Sequence, residues 1–158
     1  MEQRIDAFLP KCVVIHQWKD RKKKIVEPLF RNYIFAYVDE TERLRVLQTQ
    51  GIVRCVVFGG RLAEVQELEI EQLKIMQQAP ERLSPMGQWL PPIGGRVTVV
   101  QGALRGLVGE VMERRGQLYV IVRVEAIQHA VKVRVPVAWV SDTVEPLPRE
   151  RNHPHSTN

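Results

Sequence analysis

Cysteine is scarce in this sequence: Cys12 and Cys55 are the only two among 158 residues. Both sit in apolar, strand-like segments, which fits reduced, buried thiols in a cytosolic protein and argues against a disulfide framework. There is no CxxC pair and the four histidines are scattered, so no zinc site is readable. His153 and His155 flank Pro154 in a polar tail and read as part of a loose end, not as ligands. Long hydrophobic runs are missing as well. None approaches the ~18 residues that a membrane helix needs, and no signal peptide opens the chain, which points to a soluble, cytoplasmic protein with no membrane contact. A catalytic constellation is also lacking. No nucleophile, base and orienting group can be assembled, and Asp20 stands among lysines without an acid–base partner. The expectation is a protein that is not an enzyme and needs no metal or cofactor.

What the sequence does have is concentrated positive charge. The net charge is +5 and the isoelectric point near 9.5, which mildly favours an anionic partner. Lys19, Arg21, Lys22, Lys23 and Lys24, set against Asp20, account for most of it. The run reads equally as a solvated loop tip or as a nucleic-acid contact. It leads directly into an aromatic, β-branched stretch, Ile25 to Phe30 and Asn32 to Val38, that suits a pleated, half-buried strand. Cys12 to Trp18 reads as the strand before it, with the basic run as the hairpin tip.

Asp39 and Thr41 are N-cap candidates for a short helix through Gln48, which Gly51 ends. Ile52 to Phe58 reads as a strand closed by a turn at Gly59-Gly60. Glu64 to Gln78 is the clearest helix. Val65, Leu68, Leu73 and Met76, with Ile70 and Ile75, form its apolar stripe. Ala79-Pro80 stops it, and the proline-rich, aperiodic segment 81–92 reads as a linker. Beyond it, Arg96 to Val100, Leu107 to Met112, Gln117 to Val124 and Ala130 to Val135 are short valine-rich strands separated by glycine or polar turns. They predict a small all-β barrel over 93–147, with a turn at Arg114-Arg115-Gly116 and Trp139 plugging one end. Residues 148–158 read as a flexible tail, and 1–80 as a mixed α and β domain.

The two halves, in this order, resemble the NusG family of transcription elongation factors. GGRVTVVQGALRGLVGEV, from Gly94 to Val111, is similar to that family's KOW module. Gly102 and Gly106 can take positive φ where the loop reverses, and Gly109 can allow close backbone approach. EPLFRNYIFAYVD (Glu27 to Asp39) and GIVRCVVFGG (Gly51 to Gly60) resemble N-terminal segments of the family, with Arg31 where a second proline is common. QWKDRKKKIVEPLF resembles the hairpin of specialised paralogues, the RfaH and UpxY-like antiterminators, and the UpxY-like proteins are the nearer match.

The resemblance implies an α+β fold: a NusG-type antiparallel sheet with helices, followed by an SH3-like KOW β-barrel. It also implies that Leu29, Phe30, Tyr33 and Phe35 form an apolar patch that docks on the clamp helices of RNA polymerase, Tyr33 and Phe35 sharing one strand face. Lys19 and Arg21 to Lys24 would lie near upstream or non-template DNA. The barrel would meet a ribosomal protein or termination factor, and the activity would be suppression of pausing and termination at specific operons. The family's first strand and helix have no counterpart before Phe8-Leu9-Pro10, so the N-terminal domain reads as incomplete, as if the start were placed too far downstream. The other reading is an RNA-binding or ribosome-associated adaptor, resting on Arg105, Arg114 and Arg115.

Overall fold

The structure is a computed structural model that describes residues 5–86 and 95–141. Among the described residues, two α-helices and a set of antiparallel strands give an α+β mix. The N-terminal half holds three separate two-stranded ribbons. Strand β1 (Asp6–Phe8) pairs with β4 (Phe35–Tyr37), placing Phe8 opposite Phe35. Strand β2 (Lys11–Gln17) pairs with β3 (Lys22–Pro28) from Lys11 opposite Pro28 to Gln17 opposite Lys22. A short pair, β5 (Val57–Phe58) and β6 (Arg61–Leu62), flanks Gly59 and Gly60, both at positive φ.

These ribbons depart from the expected single sheet. The stretch Asn32 to Val38 is strand only at β4, because Leu29 to Asn32 turn back on themselves and the Tyr33 N–H donates to the Phe30 carbonyl. Likewise Ile52 to Phe58 is strand only at its end. Strand propensity alone did not find those residues a partner.

Helix α1 (Glu40–Leu47) begins as its sequence dictates: the Asp39 carboxylate accepts the Glu42 N–H at 2.8 Å. Helix α2 (Glu67–Met76) buries Leu73 and Met76 and leaves Leu68 exposed, so the apolar stripe is narrower than its composition suggests.

The C-terminal half is a five-stranded antiparallel sheet, ordered β7 (Leu83–Pro85), β11 (His129–Arg134), β10 (Gln117–Val124), β9 (Val108–Arg114) and β8 (Arg96–Thr98). Its hydrogen-bonded order is open, with β7 and β8 as the edges. Strand β7 comes from the segment read as a linker. Three residues with two polar or proline neighbours carry little strand signal of their own. They are held by pairing Leu83, Ser84 and Pro85 with Val133, Lys132 and Val131. Residues 87–94 and 142–158, which include the remainder of that linker and the tail, lie outside the described residues.

Valine alternation on β10 and β11 sends Val120, Val122, Val124, Val131 and Val133 to the inner face, all buried. Leu73 and Met76 of α2 and Cys12, Leu29, Phe30 and Phe35 of the N-terminal half belong to the same core. Gln72 on helix α2 ties it to the C-terminal half, and Gln77 at its C-cap ties it to β2. The Gln72 carbonyl accepts the Val108 N–H at 2.7 Å and its amide donates to the Gly106 carbonyl. Gln77 does the same with both backbone groups of Lys11, at 2.9 and 2.8 Å. A primary amide presents one donor and one acceptor side by side, so each glutamine satisfies exposed backbone as another strand would.

Gly102 and Gly106 both take positive φ in the loop after β8. A Cβ at Gly102 would also lie 2.4 Å from the Trp139 ring, so this glycine lets the indole settle on the loop. Gly109 has ordinary φ but no room, since a Cβ would meet the Ile121 carbonyl oxygen at 2.3 Å.

Candidate functional site

The aromatic segment leaves β3 through Leu29, whose N–H donates to the Pro10 carbonyl. Leu29 and Phe30 are then turned inward and buried, and Phe35 is buried on β4. Phe30 meets Phe35 edge-on at 6.2 Å and Phe8 lies 6.5 Å from Phe35, in the tilted and edge arrangements that aromatic quadrupoles favour. Of the four residues expected in an apolar docking patch, Tyr33 alone keeps substantial solvent exposure. It sits in the turn and not in a strand, so the two-residue period does not align it with Phe35.

Phe30 and Tyr33 both meet His129 of β11 edge-on, at 5.9 and 5.2 Å. The His129 ring is fixed from behind. Its Nδ1 lies 2.6 Å from the Ile127 carbonyl, which can only accept, so Nδ1 carries the proton. Gln128 at φ 53° makes the tight turn that brings this bond about. Around Tyr33 in the sequence, Ile34 is 48% and Tyr37 85% exposed.

The basic run does not form one loop tip. The turn is Lys19-Asp20, closed by the Trp18 N–H donating to the Arg21 carbonyl, and Lys22 to Lys24 lie on β3. Pairing with Ile15 to Gln17 carries the strand into the lysines despite their modest strand propensity. Alternation then divides the charge. Lys22 and Lys24 share a face with Ile15 and Gln17, while Lys23 points with His16 to the other. All five cations are exposed. Ile15, Trp18 and Val26 are exposed on the same hairpin, giving it an apolar as well as a basic character. His16 reaches Glu27 at 3.0 Å, a pair that is ionic when the imidazole is protonated.

In the C-terminal half, Arg105 is exposed beside the buried Leu104, and Arg115 at φ 52° with Gly116 at φ 73° forms the β9–β10 turn. The face of the sheet opposite the valines is a feature that composition did not single out, and its centre, Ile121 and Glu110, is itself buried. Register places Arg96, Glu110, Met112, Arg114, Tyr119, Ile121, Arg123, Lys132, Arg134 and Ser84 on that side. The signal was the alternation of Lys132 and Arg134 with Val131 and Val133, which becomes a patch only when neighbouring strands are aligned. Among the described residues, no group of three or more His, Cys, Asp or Glu side chains could hold a metal ion, and no helix is long and apolar enough to cross a membrane.

Residues 1–74 match a known protein family. It is NusG, described as transcription termination factor NusG. The matched span runs from the chain start through the three ribbons and ends within α2, at the residue after Leu73. The NusG match therefore includes the aromatic segment and the basic hairpin and leaves out the five-stranded sheet. No curated protein matches the chain.

Proposed function

We propose that the protein is a NusG-type transcription elongation or antitermination factor that docks on RNA polymerase through its N-terminal half. The observation that carries this reading is the family match over residues 1–74. Docking is assigned to the turn after β3. Tyr33 offers partly open ring surface, with the exposed Ile34 and Tyr37 beside it in sequence. Leu29, Phe30 and Phe35 act from beneath, as the packed support that holds Tyr33 in place. An amphipathic aromatic on a rigid base is a common anchor for a protein partner, here the clamp helices of the polymerase.

The hairpin cations would lie toward upstream or non-template DNA. Because alternation splits Lys22 and Lys24 from Lys23, a duplex lying along one face meets two or three of the five. Phosphate neutralisation of that extent gives a salt slope of about 2 to 3. Holding the polymerase and the DNA together would suppress pausing and termination by binding alone, without catalysis. Operon specificity of the RfaH or UpxY kind, and a KOW-type role for the C-terminal sheet toward a ribosomal protein or termination factor, belong to the same proposal. They draw on the sequence resemblance.

Co-precipitation with core RNA polymerase tests the reading. Tyr33→Ala should weaken capture about tenfold or more, as expected of a central aromatic anchor, with the melting temperature little changed. Retention of full capture by Tyr33→Ala and by Tyr37→Ala would remove the assignment. Phe35→Ala is a poor probe because it empties the core.

A further inference from the structure

Strand β2 keeps one edge that no other strand covers. Two bonds fix which of its main-chain groups face β3: the Leu29 N–H donates to the Pro10 carbonyl and the Trp18 N–H to the Arg21 carbonyl. Antiparallel pairs alternate between bonded and unbonded, so Cys12, Val14 and His16 turn their groups to β3, and Lys11, Val13, Ile15 and Gln17 turn theirs away. At Lys11 the Gln77 amide takes both outward groups, at 2.9 and 2.8 Å. The next two rungs lack such cover. Among the described residues, no hydrogen-bond partner takes the outward N–H and C=O of Val13 or Ile15. Gln77 thus fills the first place in a ladder whose following places are open.

These rungs border a groove of about 470 Å³, within the size range of ligand clefts. Cys12 to Ile15 line one side and Leu83 to Pro85 of β7 the other. Successive side chains of a strand point to opposite faces, so a wall made of consecutive residues is a strand edge. The β7 edge has its own chemistry. The Met86 N–H donates to the Ala130 carbonyl, so alternation turns the groups of Ser84 to β11 and those of Leu83 and Pro85 outward. The Leu83 N–H is already held by the Pro80 carbonyl, and proline has no N–H to offer. That wall therefore presents carbonyls and no donor.

We infer that this groove binds one extended peptide segment of a partner protein, added as a strand to β2. A strand has two edges, and each wall suits one of them. One edge exchanges N–H and C=O bonds with Val13 and Ile15, and the other turns N–H groups toward the Leu83 and Pro85 carbonyls. Phosphate groups would instead meet those carbonyls and the Glu27 and Glu81 carboxylates, acceptors where they need donors. A second copy pairing through β2 would bring its own β3 along, on the side that β7 already walls off. The side chains of the peptide follow from the neighbouring face. Ile15 and Val26 are exposed there and call for apolar residues at alternate positions. Lys24 and Lys22, toward the hairpin tip, call for an acidic residue at that end.

Hydrogen exchange and fluorescence anisotropy on the full chain test this, with a short labelled peptide of alternating valine and threonine that ends in glutamate as the probe. In the free chain the Val13 and Ile15 amides should exchange fast and the Cys12 and Val14 amides slowly. Saturating peptide should slow Val13 and Ile15 by about tenfold or more. Val13→Pro removes an outward N–H and spares the ladder to β3, so it should weaken binding about tenfold with the melting temperature little changed. The same peptide N-methylated at alternate amides should bind as weakly to the wild-type chain, a result that does not depend on any variant folding. Tyr33→Ala should bind the peptide at the wild-type level, which separates this inference from the docking reading. Equal binding of the N-methylated peptide, or no protection at the highest soluble peptide concentration, would overturn it. So would protection that rises with protein concentration alone, the mark of a second copy, or displacement of the peptide by a single-stranded oligonucleotide.

Discussion

Glu69 places a carboxylate oxygen, Oε2, in a buried position with no hydrogen-bond partner. Loss of hydration raises its pKa above the usual carboxylate range, and the nearby Glu125 charge adds to this against a backbone hydrogen bond from Glu125 that lowers it. The folded state then holds the proton more tightly than the unfolded chain does. Stability must fall as pH rises from the unfolded carboxylate value through the raised folded one. Glu69→Gln should abolish that slope in denaturant titrations followed across mildly acidic pH and should stabilise the protein at neutral pH. Cys12 gives a chemical readout of the same physics. Burial raises its thiol pKa, with the Glu27 charge adding to it, and the buried sulfur should react with a disulfide reagent well after the half-buried Cys55. Gly109→Ala should cost roughly 1–3 kcal/mol in equilibrium unfolding, as overpacking does, because the new methyl meets the Ile121 carbonyl. That glycine was legible from its spacing, as was the Asp39 cap. The Glu69 environment was not, because it depends on Glu125, which lies far along the chain.

Elements were legible in proportion to how local their causes are. The four valine-rich strands of the C-terminal half and both helices follow from period and capping, and their limits shift by only a few residues. The strands that depend on remote partners were not legible. Strand β1 exists because β4 lies opposite it, and β7 because β11 does. The lysines of β3 looked like a loop because composition weighs residues singly, whereas the ladder from Lys11 to Gln17 fixes them in pairs. The candidate site suffered in the same way. The segment Leu29 to Phe35 was recognisable, but the packing of Phe30 and Tyr33 depends on His129, in a sheet formed far downstream. Helix α2 is where these remote causes converge. Gln72→Ala would strip partners from the Val108 N–H and the Gly106 carbonyl. It should destabilise the protein by about 1–3 kcal/mol, the cost of an unsatisfied, partly buried donor, and hydrogen exchange at Val108 should speed up.

Across the whole molecule, the inner face of the sheet, α2 and the aromatic segment share one core. Thermal unfolding should therefore be one cooperative transition, with equal calorimetric and van't Hoff enthalpies, and not two steps for two halves. The shared core also bears on partners. A protein that uses the open side of Tyr33 can bind without disturbing His129, whereas one that requires Phe30 must first part the ring contacts between the halves.

Strand β7 belongs by sequence to the first half and by hydrogen bonding to the second. If a protease site were engineered between residues 86 and 95, cutting there would produce two pieces, and the first would already donate an edge strand to the second. Such pieces should co-elute after cleavage, held by β7 and the Gln72 clasp. The chain would then behave as a split protein whose fragments complement each other, divided where its sequence had suggested a mere tether.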